Sequence, residues 1–209
     1  MSKSETWPGE DLPVVEDEVE VEETETEDPQ ETGDELQLRV AHEHAEGELE
    51  VPDDIDLLEG EARDARRGVG VVVSRFNGEI VNRLLASALA ELEKAGVAKE
   101  SITVMAVPGA FELPLGAMAL AKTRRYSCIV ALGCVIRGET AHFEYIAGEA
   151  ASGLQLAALE TGVPVSFGVL TVDTVEQAEA RIDKGGEAVR TALEMADLFS
   201  QLRATSQAK

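Results

Sequence analysis

From Gly68 onward the apolar residues switch repeatedly between two spacings. Val69-Gly70-Val71-Val72-Val73 is a continuous apolar run, the pattern of a strand covered on both faces. Val81, Leu84, Leu85, Ala88, Leu89 and Leu92 then recur at helical spacing, which predicts a helix from Gly78 to Ala95 that Gly96 stops. A second strand is predicted over Ile102 to Val107. Pro108-Gly109 breaks it, and a helix from about Phe111 to Lys122 follows. The third strand is Cys128 to Val135, followed by a helix from about Thr140 to Thr161 that Gly162 ends. Val165 to Val172 is the fourth strand. Thr174, with Gln177 three residues on, makes a capping box opening a helix that runs to Ile182. Lys184-Gly185-Gly186 interrupts, and a last helix covers Glu187 to Leu202. Its apolar positions, Val189, Ala192, Leu193, Ala196 and Phe199, exceed one narrow stripe, which fits burial between subunits or inside the chain. Strand followed by helix, four times over, predicts a parallel sheet with helices on both faces.

Open parallel sheets bind ligands outside the carboxyl ends of their strands. The segments there are Ser74-Arg75-Phe76-Asn77, Val107 to Glu112, Val135 to His142, and Thr171-Val172-Asp173. The third holds the only histidine of the folded half. A turn from strand into helix aims backbone N–H groups and the positive end of a helix dipole at one spot. An imidazole in the first turn adds a group that titrates near neutrality. Phe76 and Phe111 also fall at strand ends, where a ring can stack on a flat ligand or simply pack as core. Arg137 fits a structural ion pair or a ligand contact, and Arg181 by itself reads as a solvated helix residue.

Charge changes the picture upstream. The first 60 residues hold 23 acidic and 2 basic side chains, a net of −21, and the remainder holds 18 and 16. A run such as Glu16 to Glu27 repels itself and offers too little apolar surface to offset chain entropy, so residues 1–56 are expected to be a mostly disordered extension. Such a tail solvates the protein or tethers a basic partner. Leu36 to Val40 alternates like a short strand, and Leu49, Val51, Ile55, Leu57 and Leu58 are suited to a neighbouring surface. His42 and His44 share a strand face. Without a third His or a Cys nearby they read as solvated, and no metal is expected. No signal-peptide pattern opens the chain, no apolar run spans a bilayer, and the acidic balance disfavours nucleic acid. Cys128 and Cys134 lie six apart on one strand, about 20 Å, which is too far to bond. A cytoplasmic protein is expected.

Taken together, five linked motifs resemble the lumazine synthase family. They are Ser74 to Asn77; Val107-Pro108-Gly109-Ala110-Phe111-Glu112-Leu113-Pro114; Leu132-Gly133-Cys134-Val135-Ile136-Arg137-Gly138-Glu139-Thr140-Ala141-His142-Phe143; Pro164 to Thr171; and Glu176-Gln177-Ala178. The likeness covers roughly residues 57–200, so 57–209 is expected to be the catalytic domain.

The resemblance implies a three-layer α/β sandwich with a four-stranded parallel sheet in flavodoxin-like order. It implies a transferase of riboflavin biosynthesis that condenses 5-amino-6-(D-ribitylamino)uracil with 3,4-dihydroxy-2-butanone 4-phosphate, without metal or organic cofactor. It further implies a homo-oligomer built from pentamers, with a decamer or icosahedral shell as larger forms. Riboflavin synthase is a candidate partner, and the acidic tail adds basic cargo as another.

By the same resemblance, Phe76 stacks on the pyrimidine. Ala110 and Glu112 hold the ribityl chain and ring, with Phe111 in support and Val135 and Ile136 lining the pocket. His142 moves protons. Gly138, Glu139 and Thr140 offer their backbone to the phosphate, which Arg181 grips. Phe167, Arg181 and Lys184 come from the neighbouring subunit. Lys184 is aligned by the Lys-Gly before the last helix, across a connector shorter than the family's usual one. Two other readings stand beside the enzyme: a shell or scaffold that recruits cargo, and a lumazine- or flavin-binding protein without turnover.

Overall fold

The computed structural model describes residues 49–63 and 68–207. The acidic run to Glu48, the alternating Leu36 to Val40 segment and the His42/His44 pair lie outside the described residues. Four parallel strands, β1 (Gly68–Ser74), β2 (Ile102–Val107), β3 (Tyr126–Ile136) and β4 (Val165–Val172), form one sheet in the order β2-β1-β3-β4. This is the flavodoxin-like order, and its reversal point lies between β1 and β3.

Five α-helices are described: α1 (Gly78–Lys94), α2 (Leu113–Lys122), α3 (His142–Thr161), α4 (Val175–Glu179) and α5 (Lys184–Gln207). Alternation along the strands builds two separate cores. Val69, Val71 and Val73 of β1, with Cys128, Val130, Leu132 and Cys134 of β3, face α1, α4 and α5. Val72 of β1, with Ile129, Ala131 and Val135 of β3, faces α2 and α3. The apolar run in β1 is therefore filled on both sides, as its composition demands. Val189, Ala192, Leu193 and Ala196 of α5 lie in the first of these cores, so the wide apolar face of that helix is mainly intrachain.

Two boundaries differ from the sequence expectation for a physical reason. Lys184-Gly185-Gly186 does not interrupt: α5 begins at Lys184 and includes both glycines. A methyl at Gly185 would lie 2.2 Å from the Leu84 carbonyl oxygen. Close packing of α5 on α1 overrides glycine's poor helix propensity there. Ala110–Glu112 is a 3-10 turn, and α2 starts only at Leu113. Helix α4 ends at Glu179, short of the expected Ile182, but keeps its predicted cap, with Thr174 Oγ1 accepting from the Gln177 N–H at 3.3 Å. Gln177 Oε1 reaches back to the Asp173 N–H at 2.9 Å, one residue earlier than in the usual capping box.

Ahead of the sheet, Glu59 to Arg63 is strapped to α5. Asp197 accepts from the Glu61 N–H at 3.2 Å and from Arg63 at 3.0 Å, and Gln201 donates to the Glu59 carbonyl at 2.8 Å. Leu49, Ile55, Leu57 and Leu58, just upstream, are exposed in the protomer.

Candidate active site

A cavity of about 750 Å³ opens at the carboxyl ends of β1 and β3, where the strand order reverses. Three loops and the start of α3 make its walls. Phe76 and Asn77 come from the loop after β1, and Gly109, Ala110, Phe111 and Glu112 from the loop after β2. Cys134, Val135 and Ile136 end β3. Gly138, Thr140, His142, Phe143, Tyr145 and Ile146 complete the cavity.

Each functional side chain is held by its backbone. The Arg75 and Phe76 N–H groups donate to the Val107 and Pro108 carbonyls at 2.9 and 3.1 Å, which ties the first loop to the second. Asn77 sits in the left-handed region at φ 56°. Its side-chain amide donates to the Cys134 carbonyl at 2.9 Å, fixing the Phe76 loop against β3. Phe76 is thus 70% exposed on a fixed backbone, with its ring free to meet a ligand. The Glu112 carboxylate accepts the Gly109 N–H at 2.9 Å, which steadies one of its oxygens at the cavity wall.

His142 is the first residue of α3, exposed, with its N–H pointing to Thr140 Oγ1 at 3.4 Å. The α3 N-terminus therefore aims at the same space as the imidazole. Arg137 does not line this cavity. It pairs with Asp173 at 2.7 Å and Glu144 at 3.3 Å, which keep its guanidinium charged above its ordinary range. The ion-pair alternative for Arg137 is the one realised. The Cys134 and Cys128 thiols are pushed up to about 11 and about 12 by burial, so neither is a nucleophile at neutral pH.

Of the residues singled out from sequence, Phe76, Ala110, Phe111, Glu112, Val135, Ile136, Gly138, Thr140 and His142 converge on this one cavity. Glu139 does not line it, although its neighbours on both sides do. Phe167, Arg181 and Lys184 lie elsewhere on the protomer. Phe167 is half-exposed on β4. Arg181 folds onto the Gln177 carbonyl at 2.9 Å, and Lys184 pairs with Glu187.

A family model described as 6,7-dimethyl-8-ribityllumazine synthase matches residues 67–200. Synthases of that name from Yersinia pestis (strain Pestoides F) and Yersinia pseudotuberculosis (serotype O:1b, strain IP 31758) are each 46% identical to the chain over 155 residues. The match spans 71% of this chain and 99% of each relative. The chain belongs to the 6,7-dimethyl-8-ribityllumazine synthase family.

Lumazine synthases are transferases of riboflavin biosynthesis, and the resemblance drawn from five short motifs is borne out by the full-length match. Asn77 and Phe143 stand inside the motifs but receive no role from sequence, and Tyr145 and Ile146 lie outside them. Tyr145 and Ile146 stand three and four residues after His142, so helical spacing from the imidazole was the signal that would have found them. Among the described residues no group of three or more His, Cys, Asp or Glu is placed to hold a metal, and no helix is long and apolar enough to cross a membrane.

Proposed function

We propose that the cavity condenses 5-amino-6-(D-ribitylamino)uracil with 3,4-dihydroxy-2-butanone 4-phosphate to give 6,7-dimethyl-8-ribityllumazine. The amine attacks the ketone and forms an imine with loss of water. Phosphate is then eliminated, and ring closure expels a second water. Phe76 stacks on the pyrimidine, with Val135 and Ile136 behind it. Glu112 and Ala110 hold the ribityl chain and ring, and Phe111 supports that wall. His142 carries protons between nitrogen, carbon and solvent, a task suited to imidazole near neutral pH. The backbone of Gly138, Glu139 and Thr140 meets the phosphate beside the start of α3. Much of the rate comes from holding two reactants together.

The observation that carries this reading is a division of labour. Nine assigned residues share one cavity, and Phe167, Arg181 and Lys184, assigned to a neighbouring subunit, are absent from it. Arg181 of one protomer then grips the phosphate bound in the next, with Phe167 and Lys184 beside it. A homo-oligomer follows, with the pentamer as its ring. Exposed Leu115, Tyr145, Leu156 and Leu159 give it apolar surface to bury. Residues 57–209 form the catalytic domain, and the acidic extension 1–56 lies outside it, available to a basic cargo or riboflavin synthase. The presence of Phe76, Glu112, His142 and Arg181 together in the chain favours catalysis over a scaffold role.

Mixing the two substrates with the protein is expected to generate lumazine absorbance and inorganic phosphate. A sharper test mixes the impaired His142→Ala and Arg181→Ala chains. Random ring assembly gives about a quarter of sites both native residues, so activity returns. A mixture no more active after co-assembly than the two variants kept apart would refute the shared site.

A further inference from the structure

Arg137 leaves β3 directly into the turn that faces the phosphate, yet its donors point at protein. Its N–H donates to the Val172 carbonyl at 2.9 Å. Its Nε donates to Asp173 at 2.7 Å, and a terminal nitrogen donates to Glu144 at 3.3 Å. The guanidinium also lies over the Phe143 ring, 4.3 Å from the centroid. One planar fork thus joins the end of β4, the first turn of α3 and the turn between β3 and α3.

The turn itself has few other anchors. Outside the helix ladder the hydrogen bonds of Gly138 to His142 are local: the His142 N–H donates to Thr140 Oγ1, and the Glu144 N–H donates to the Ala141 carbonyl at 3.0 Å. A methyl placed at Gly138 would meet nothing within 4 Å. Beyond Asp173 the linkage continues through Gln177, which accepts from the Asp173 N–H and, through its carbonyl, from Arg181.

Resting on the synthase reading, we propose that Arg137 is a positioning residue. It sets the phosphate-facing turn and His142 in register with α4, without touching substrate. Exposed ion pairs of this kind contribute little to stability, and the side chains of Arg137, Asp173 and Glu144 are 44%, 64% and 66% exposed. Geometry is another matter, because a displacement near 1 Å costs a reacting pair about 10²-fold. Lysine offers neither the fork nor the stacking plane.

The test uses assembled full-length protein carrying Arg137→Gln, Arg137→Lys or Asp173→Asn. Expected are wild-type assembly and melting behaviour and a KM for the phosphate substrate raised about tenfold. The KM for the pyrimidine should be nearly unchanged, and inorganic phosphate should inhibit correspondingly less. Arg137→Lys is not rescued, Asp173→Asn shows part of the effect, and the Arg137→Gln/Asp173→Asn double variant is no worse than Arg137→Gln. Wild-type kinetics in Arg137→Lys, or equal rises in both KM values, overturns the proposal. So does loss of phosphate inhibition in Arg137→Gln with Asp173→Asn normal, since Arg137 would then be a phosphate ligand. Should Arg137→Gln fail to assemble, Asp173→Asn alone decides by its KM split. Absence of product with wild-type protein would instead sink the synthase reading.

Discussion

Asn77 carries two separable duties, and two substitutions tell them apart. Its backbone occupies the left-handed region, at φ 56° and ψ 44°, and its amide donates to the part-buried Cys134 carbonyl at 2.9 Å. Asn77→Gly keeps the backbone conformation and loses only the hydrogen bond, a cost of about 1 kcal/mol. Asn77→Ala loses the same bond and adds the steric cost of a left-handed residue, ~1–2 kcal/mol. Glycine's greater chain entropy, ~0.5–1 kcal/mol, partly offsets that difference. Stability should therefore fall in the order wild type, Gly, Ala, with the last two separated by about 0.5–1 kcal/mol in urea unfolding at one fixed protein concentration. Kinetics should rank differently. Both variants release the Phe76 loop from β3, so both should raise the KM for the pyrimidine about fivefold, the equivalent of about 1 kcal/mol of binding. An alanine variant as stable as the glycine one would refute the backbone reasoning. A glycine variant with wild-type KM would show that the amide does not hold the ring.

His142→Ala should lower turnover on the order of 10²-fold without abolishing it; a folded, assembled variant with no activity at all would assign imidazole more than proton transfer. At pH 8 a thiol raised to about 11 is ionised in only about one molecule in 10³, so a thiol reagent should label native protein slowly and find both cysteines on unfolding. Burial opposes ionisation of Asp197, yet hydrogen bonds from Gln201, Arg63 and the Glu61 N–H, with the Arg63 charge, hold its carboxyl below the usual range. Its contribution is therefore present at neutral pH and is lost as pH falls through that lowered value. Protection of the Glu61 amide from hydrogen exchange should fade in strong acid, and in Asp197→Asn at neutral pH; protection that grows with acidity would reverse the sign. First segments of net −21 over residues 1–60, many on one assembly, repel over a range that salt shortens to about 10 Å, so higher salt should favour any larger assembly; light scattering that finds bigger particles at low salt would contradict this.

The strands were legible because burial on two faces leaves an unbroken apolar run, as in Val69 to Val73. The candidate cavity's place was legible too: the strand-end rule marked the loops of Phe76, Glu112 and His142, and the resemblance grouped them into one site. Local pattern failed where a distant backbone decides. Gly185 and Gly186 read as a break because propensity knows nothing of Leu84 across the helix crossing. Arg137 stayed ambiguous because Asp173 lies 36 residues away, and Asn77 was passed over because only the sheet brings Cys134 under its amide. Phe167, Arg181 and Lys184 do not line the cavity within one protomer, and only the resemblance gives them a role.

The α1–α5 crossing has a consequence for anyone altering this chain. Replacing helical glycine by alanine is a routine way to stiffen a protein. At Gly185 the exchange would drive a methyl into the Leu84 carbonyl and prise the helices apart just downstream of Arg181. Gly148 of α3 has open space around it within the protomer, where the same exchange would gain ~0.4–1 kcal/mol. Within the protomer, one letter in two helices thus carries opposite mutational latitude: a methyl at residue 148 meets nothing, while residue 185 is pinned by a backbone a hundred residues earlier in the chain.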